Sequence, residues 1–195
     1  MKGGNRLVYG FGITDIPSGK NGSHSREYML WKGMIRRCYA SNRSVFSDNY
    51  LECTVSDDFK LFSKFSSWYN NQKGSSIDGW CVDKDLLVKG NKIYSPETCV
   101  FLPREINTAI TTSNNKRGDM PIGVFFNKKL GKYSATVSSM GKSNYLGLFN
   151  TPEQAFFAYK SKKEELMAGL AKKYIDQLSE KAYNALIGFN VDISD

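Results

Sequence analysis

The stretch CVDKDLLVKGNKIYSPETCVFLPREIN, residues 81–107, decides the fold prediction because it places adjacent charges on an apolar segment. Asp83, Lys84 and Asp85 stand side by side on a predicted strand, and a Lys-Gly-Asn turn and a YSPE loop lead to a second apolar strand. A short helix is predicted next, with Pro103 in its first turn. One interpretation is a structural hairpin with surface charges, and the other is a functional site.

Helical periodicity surrounds this stretch on its N-terminal side. From Ser25 to Tyr39, apolar residues recur at three- and four-residue steps, which predicts a helix with a buried face: Tyr28, Trp31, Met34, Ile35 and Cys38. After Ser56, DDFKLFSKFSSWY predicts one further helix with an N-cap, an acidic first turn and core aromatics: Phe59, Phe62, Phe65 and Tyr69. Residues 1–25 are rich in Gly, Ser and Asn, which predicts an arm or loop.

Beyond residue 110 the pattern changes to that of a small sheet followed by helices. The polar segment TTSNNKRGD, residues 111–119, is predicted to be a linker. Strands are predicted around Ile122–Asn127, Tyr133–Val137 and Asn144–Phe149. Thr151 caps the next helix, whose inward residues are predicted to be Ala155, Phe156, Ala158 and Tyr159. A last apolar stripe predicts helical segments that dock on the chain's own core, with dimerisation as the alternative: Tyr174, Leu178, Tyr183 and Leu186.

The charge distribution indicates an anionic partner. The 195 residues carry a formal net charge of +8. Six basic residues against one acid lie between Lys20 and Arg43, a stretch that includes Arg36 and Arg37, and the same ratio holds between Lys116 and Lys142. Two basic stretches favour a directed surface for nucleic acid. A diffusely basic, solvated protein is the alternative.

The cysteines and the hydropathy exclude other classes. The four cysteines form no CxxC pair, so the spacing does not indicate zinc, although a scattered site is conceivable in principle from His24, Cys38, Cys53 and Cys99. No apolar run approaches the ~20 residues that span a membrane, and no secretory signal is recognisable. We therefore expect a soluble cytoplasmic protein with reduced thiols, and no membrane partner.

The C-terminal part resembles a known DNA-binding domain. IGVFFNKKLGKYSATV together with YLGLFNTPEQAFFAYKSKKE is similar to the three-stranded sheet and helix of plant ethylene-response factors, a domain that also occurs in phage homing endonucleases. The resemblance covers about residues 120–168 and implies that the sheet lies in the major groove of duplex DNA. It implies base-side contacts from Phe125, Asn127, Thr136, Ser138, Ser143 and Tyr145, and a phosphate contact from Tyr159.

This sequence departs from the plant pattern where arginines usually stand. Phe125, Asn127, Ser138 and Ser143 lack the bidentate fork that reads guanine, so base specificity is expected to be weak. Affinity for the DNA backbone is still expected, and its candidate contacts are Lys128, Lys129, Lys132 and Lys142.

The middle region resembles the ββα-metal, or HNH, nucleases of a phage group with W..M..RCY, LDKD, YSPE.C and IN signatures. Here these fall on Trp31–Tyr39, Val82–Asp85, Tyr94–Cys99 and Ile106-Asn107. The resemblance implies that Asp83 and Asn107 bind a divalent cation, Mg²⁺ or Mn²⁺. Thr98 stands where the family has an Asn that orients the base, and Lys84 stands where it has the catalytic His.

Lys84 is the residue on which activity depends. Its pKa starts near ~10.4, so neutralising it at pH 7.4 costs about 4 kcal/mol. It acts as a base of lowered pKa, or it stabilises charge while metal-bound water attacks, or the nuclease is inactive. The single histidine, His24, lies in a Gly/Ser-rich stretch far upstream and is interpreted as a loop residue.

The predicted architecture is α+β: an N-terminal ββα-metal (HNH-like) module with flanking helices, then a three-stranded antiparallel sheet plus helix and a C-terminal helical tail. The predicted parts are an arm (1–19), an HNH-like module (20–110), a linker (111–119), a DNA-binding domain (120–168) and a tail (169–195). The predicted function is a phage-type, homing-endonuclease-like protein that nicks or cuts duplex DNA, as a monomer. The alternatives are a catalytically inactive DNA-binding or regulatory protein, and a phage protein that inhibits a host enzyme.

Overall fold

A computed structural model of the chain describes residues 6–20, 23–41, 50–111, 120–139 and 141–195, and the side chain of Arg6 is not among them. The predicted α+β class is confirmed, because the described residues hold six helices and several small sheets, one of them three-stranded. Most of the predicted linker, from residue 112 to 119, lies outside the described residues. Within the described part of the chain, no helix is both long and apolar enough to cross a membrane.

The described residues form eleven strands and six helices. The strands are β1 (Arg6–Val8), β2 (Gly12–Thr14), β3 (Gly19–Lys20), β4 (Ser23–His24), β5 (Thr54–Val55), β6 (Trp80–Asp83), β7 (Ile93–Tyr94), β8 (Val100–Pro103), β9 (Val124–Asn127), β10 (Lys132–Ser139) and β11 (Lys142–Phe149). The helices are α1 (Arg26–Tyr39), α2 (Asp57–Lys60), α3 (Phe62–Asn70), α4 (Arg104–Ile110), α5 (Pro152–Lys173) and α6 (Glu180–Ile187).

The chain divides into two compact units, Met1–Leu102 and Pro103–Asp195. This division differs from the predicted one, which separated the halves at 111–119. It places α4, with Asn107, in the second unit, whereas β6, with Asp83, belongs to the first.

The core of the first unit forms around α1. Ser25 caps this helix by accepting a hydrogen bond from the amide of Tyr28, and the predicted apolar face is buried, with Trp31 fully enclosed. The Trp31 indole donates to the carbonyl of Phe59 over 2.7 Å, which satisfies the polar atom of the largest core side chain. The aromatics predicted for the core are also confirmed as buried: Phe59, Phe62, Phe65 and Tyr69.

The prediction of one helix after Ser56 is wrong. Leu61 adopts an extended backbone that separates α2 from α3, and it forms a parallel bridge with Ile13. The Ser56 side chain makes no capping bond. Pairing with Ile13 is a tertiary contact, so helical periodicity alone gives no sign of the break.

The N-terminal region is also more ordered than predicted. Residues 6–20 and 23–24 form two small antiparallel strand pairs, β1–β2 and β3–β4, instead of an arm or loop. Val8 is buried, and a Cβ on Gly12 would lie 2.8 Å from the Trp31 ring, so the β2 backbone packs directly on α1. Glycine permits this close approach because it has no side chain.

The opening stretch folds around a strand pair, as predicted, with three differences. The first strand, β6, ends at Asp83, so Lys84 and Asp85 follow the strand instead of lying on it. β6 pairs with β8, and the intervening β7 pairs in parallel with β5. The lysine–glycine–asparagine segment at 89–91 is a turn, where Gly90 has a φ of 73°. Pro103 is the N-cap of α4 instead of a first-turn residue, since the helix begins at Arg104.

The second unit contains a sheet with the order β11-β10-β9, covered on one side by α5. Thr151 caps α5 and Pro152 is its first residue, as predicted. The helix buries Ala155, Phe156 and Tyr159, with Ala158 half-buried, against the inward side chains of the sheet. Those side chains include Val124, Ala135 and Val137, which confirms the predicted alternation.

The tail ends in α6, as predicted. Ser179 caps it, and Leu178 and Leu186 are buried, whereas Tyr174 and Tyr183 are half-buried. Because α6 contacts α5 within the second unit, the stripe packs on the chain's own core as expected.

Candidate functional site

The carboxylate of Asp83 lies at the end of β6 and is buried. Its Oδ1 accepts hydrogen bonds from the amides of Asp85, over 3.0 Å, and Leu86, over 2.8 Å. Aspartate commonly bonds the backbone two or three residues ahead, and this pattern turns the chain out of a strand. The Oδ1 of Asp83 therefore stabilises the turn after β6, and its Oδ2 takes no part in these two hydrogen bonds.

Lys84 is buried beside it and is held by several groups. Its Nζ lies 2.5 Å from Asp85 Oδ1, donates to the carbonyl of Asn91 over 3.0 Å, and stands 5.6 Å from the centre of the Tyr94 ring. The Asn91 side chain in turn donates to the carbonyls of Lys84 and Ile93, both over 2.7 Å. The ammonium therefore ties the β6 end to the 89–91 turn.

The pKa values of Asp83 and Lys84 are both shifted upward, which is the wrong direction for a lysine that acts as a general base. Burial raises the pKa of Asp83 above its usual range, although the hydrogen bonds from the two backbone amides oppose this shift. Burial by itself would lower the pKa of Lys84, but the hydrogen bond and the charge of Asp85 outweigh it, so the net shift is upward. A lysine with a raised pKa is protonated at neutral pH, which disfavours the first of the three roles considered for Lys84.

The remaining predicted nuclease residues lie apart along the chain. Thr98 sits in the turn before β8, where its hydroxyl accepts from the Ser95 amide and donates to the carbonyl of Ile93 over 2.8 Å. Asn107 is half-buried in the middle of α4, and its carbonyl accepts from Thr111. Asp83 and Asn107 belong to different units, so a joint metal site stays a prediction.

The donor set in the first unit is a poor fit for a divalent cation. Mg²⁺ and Mn²⁺ prefer several oxygen ligands. Asp83 offers one carboxylate whose Oδ1 is engaged, and Asp85 is paired with Lys84. Across the described ranges, no group of three or more His, Cys, Asp or Glu side chains is placed to hold a metal ion. The Lys84 ammonium also places a positive charge beside these carboxylates, which disfavours a bound cation.

The two arginines of α1 have different surroundings. Arg37 lies over two tyrosine rings, 5.5 Å from the centre of Tyr50 and 5.7 Å from that of Tyr94, so its guanidinium packs inside the first unit. Arg36 is exposed in the last turn of the helix. A phosphate contact therefore fits the position of Arg36 better than that of Arg37.

The other candidate is the face of the second unit's sheet that α5 leaves uncovered, which we call the open sheet face. Strand register places these side chains on it: Phe125, Asn127, Lys132, Ser134, Thr136, Ser138, Ser143, Tyr145 and Leu148. A bulge opposite Ala135–Thr136 turns Leu146 inward, so that Tyr145 and Leu148 both project outward. All six residues predicted for the base-side contact are thus brought together on one surface.

The predicted lysines surround this face unevenly. Lys128 and Lys129 lie in the turn between β9 and β10, and Lys132 follows at the start of β10. Lys142 pairs with Ser139, and alternation directs it to the other side of the sheet. Residues 120–152 include these four lysines and no Asp or Glu, so the whole sheet carries one sign of charge.

Tyr159 is not part of the open sheet face. Its ring is buried on the α5 side, and a Cβ on Gly123, where φ is 75°, would lie 2.1 Å from it. The expected phosphate contact would have to come from this buried position, so the structure favours a packing role. His24, interpreted as a loop residue, lies in β4 and contacts Ser18 through its Nδ1.

Comparison of the chain with protein-family models, with curated protein sequences and with solved structures returned no significant match.

Two features of these sites were missed by sequence reasoning. The Tyr94 ring is shared by Arg37 and Lys84, which are far apart in the chain, and no spacing rule links them. Leu148 joins the open sheet face only because of the bulge. Gly147, with a φ of 131°, is the one local signal that could have suggested the irregularity.

Proposed function

We propose that the protein binds DNA and that the open sheet face of the second unit is the contact surface. The observation that carries this proposal is a three-stranded sheet with one uncovered face, three lysines on or beside that face (Lys128, Lys129 and Lys132) and no acid from residue 120 to 152. Such a surface attracts a polyanion and releases its counterions on binding. The resemblance to the ethylene-response-factor domain and the net charge of +8 point the same way.

Salt dependence tests this proposal directly. A variant with Lys128, Lys129 and Lys132 changed to Ala should flatten the slope of log K against log salt by up to about three units. The matched control changes three lysines that are already paired with acids of the chain, Lys64, Lys92 and Lys162. We expect the control to keep the wild-type slope. Binding that is absent or independent of salt would contradict the proposal and favour a protein-interaction role.

Metal-dependent cleavage is the second candidate function. The observation that favours it is that Asp83 leaves its Oδ2 outside the two hydrogen bonds that shape the turn after β6, so this oxygen is available as a ligand. In a plasmid-nicking assay with Mg²⁺ or Mn²⁺, Asp83→Ala should abolish cleavage and leave DNA binding intact. Lys84→His should raise cleavage, because it restores a base with a pKa near 6.5.

The nicking assay and the salt titration separate the two candidates. Suppose that DNA binding persists but neither the natural protein nor Lys84→His cuts DNA. Asp83 and Lys84 then have structural roles, and the protein binds DNA without cleaving it. Robust cleavage that survives Asp83→Ala would place the catalytic residues elsewhere.

A further inference from the structure

The open sheet face has a flat centre with aromatic rings on either side. The central strand, β10, presents only hydroxyl side chains in the middle of this face: Ser134, Thr136 and Ser138. The neighbouring strands present Phe125, opposite Ser134, and Tyr145, opposite Thr136. Small residues between two large ones leave both rings standing clear of the surface.

The rings are unusually exposed for their size. Phe125 is 49% exposed and Tyr145 is 62% exposed, and Leu148 extends the same apolar surface beside Ser134. A single exposed aromatic is unremarkable, but two exposed aromatics and a leucine on one uncovered face indicate a binding surface.

Groups that read base edges in a duplex are scarce on this face. Major-groove readout relies on the bidentate forks of Arg, Asn and Gln. The open sheet face has no Arg or Gln, and the Oδ1 of its one amide, Asn127, accepts from the amides of Lys129 and Leu130 over 3.1 and 3.2 Å. The Ser134 hydroxyl donates to the carbonyl of Phe125 over 3.1 Å. Apart from single hydroxyl groups, the available chemistry is therefore aromatic surface and positive charge.

Positive charge with exposed rings suits a nucleic acid whose bases are unpaired. In a duplex the base faces are covered by their neighbours, whereas in a single strand they can stack on protein rings. Strand spacings of about 4.8 Å and a rise of about 3.3 Å per residue set the Cα atoms of Phe125 and Tyr145 roughly 12 Å apart, diagonally across β10. The two rings thus form separate platforms, with Lys128, Lys129 and Lys132 beside the first.

We propose that the open sheet face binds single-stranded DNA, stacking unpaired bases on Phe125 and Tyr145 while Lys128, Lys129 and Lys132 contact phosphates. The inference rests on the proposed DNA-binding function and specifies the form of DNA. A protein partner of apolar surface is disfavoured by the lysines around the face, which no acid balances between residues 120 and 152.

Fluorescence anisotropy on the full chain tests the proposal with three labelled probes of one sequence and about 16 nucleotides: single-stranded DNA, duplex DNA and single-stranded RNA. We expect the tightest binding to single-stranded DNA at about 50 mM salt. Tyr145→Ala and Phe125→Ala should each weaken it about 5- to 150-fold, and Tyr145→Phe should leave it nearly unchanged. Phe125→Leu keeps the apolar character and loses the ring, so it should weaken binding like Ala.

Phe157→Ala is the matched control, because Phe157 is also 62% exposed but lies on α5, away from the open sheet face. It should bind as the natural protein does. Unchanged melting curves for all variants will show that losses are not due to unfolding.

The contrary outcomes are distinct. Equal or tighter binding of duplex, with no effect of Phe125→Leu, would overturn the stacking inference and leave the DNA-binding proposal standing. Binding of none of the probes would refute both. Preference for RNA would overturn the assignment to DNA. A dimer in sedimentation velocity that Tyr145→Ala dissociates would assign the face to a second copy of the chain instead.

Discussion

The end of β6 and the open sheet face both carry charged residues, but the surroundings of these charges are opposite. Asp83 and Lys84 are buried and bonded to nearby backbone groups and to Asp85. Lys128 and Lys132, in contrast, project to solvent along a sheet without acids. A buried charge satisfied by its own chain has little capacity left for a ligand, whereas an exposed, unbalanced one attracts counterions. Burial therefore separates the charges that the fold itself uses from those that are accessible to a ligand.

The largest effect on stability is expected from removing α4, which contacts α5 within the second unit. On α5, Lys163 is buried and donates to the carbonyl of Ala109 at the end of α4, and Lys173 pairs with Glu105 of α4 over 2.6 Å. A fragment starting at Gly118, near the end of the predicted linker, removes these partners. We expect it to be less stable than fragment 103–195 in urea unfolding followed by circular dichroism, by about 3 kcal/mol or more, because the buried Lys163 ammonium loses its acceptor.

Equal stability of the two fragments would show that α4 is dispensable. The second unit would then begin at the predicted linker and not at Pro103, and the open sheet face would depend on the sheet and α5 alone.

Replacing Lys84 tests whether the β6 charges are structural. Lys84→Met removes a buried ammonium with three partners and should lower the free energy of unfolding by about 2–3 kcal/mol. The matched control is Lys64→Met. The Lys64–Asp58 pair is 54% and 57% exposed, and such surface pairs contribute roughly 0–1 kcal/mol. If both variants lose a similar free energy of unfolding, Lys84 is not needed for stability and is available for a catalytic role.

Lys163 provides a buried lysine with the opposite shift. Burial lowers its pKa, so its folded form is deprotonated more readily than its unfolded form. The cost of burying the charge is present in full below the folded pKa, and it is relieved as the pH rises toward the unfolded value near 10.5. Stability of the natural protein should therefore gain a component that rises with pH from the lowered folded pKa up to 10.5, and Lys163→Met should lack it. Matching pH profiles would mean that Lys163 titrates normally.

The smallest expected effect comes from Asp83→Asn, which keeps an Oδ1 to accept from the Asp85 and Leu86 amides and removes the buried charge. Because burial raises the Asp83 pKa, the charge destabilises the fold above that pKa and has no effect below the unfolded value near 3.8. The variant should therefore melt slightly higher at pH 7 and lose this advantage near pH 4. Adding Mg²⁺ or Mn²⁺ should raise the melting temperature of the natural protein alone if Asp83 binds metal.

Much of the fold could be predicted because it depends on local rules. The apolar spacing of α1, the Thr151 and Pro152 start of α5 and the alternation around Val124 and Ala135 each use a periodicity that the sequence displays directly. The break at Leu61 and the strand pairs before α1 could not be predicted, because both depend on pairing or packing with residues distant in the chain.

The candidate sites divide along the same line. The sequence by itself determined which residues carry charge, that the sheet from 120 to 152 holds no acid, and that its strands alternate between two faces. The tertiary structure was needed to show that Tyr159 lies inside the core and that a bulge places Leu148 on the same face of the sheet as Tyr145. It was also needed to show that Lys84 is enclosed by Asp85, Asn91 and Tyr94. The reason is physical: residue type fixes what a group can do, but burial and partners, which come from distant segments, fix whether it is available to do it.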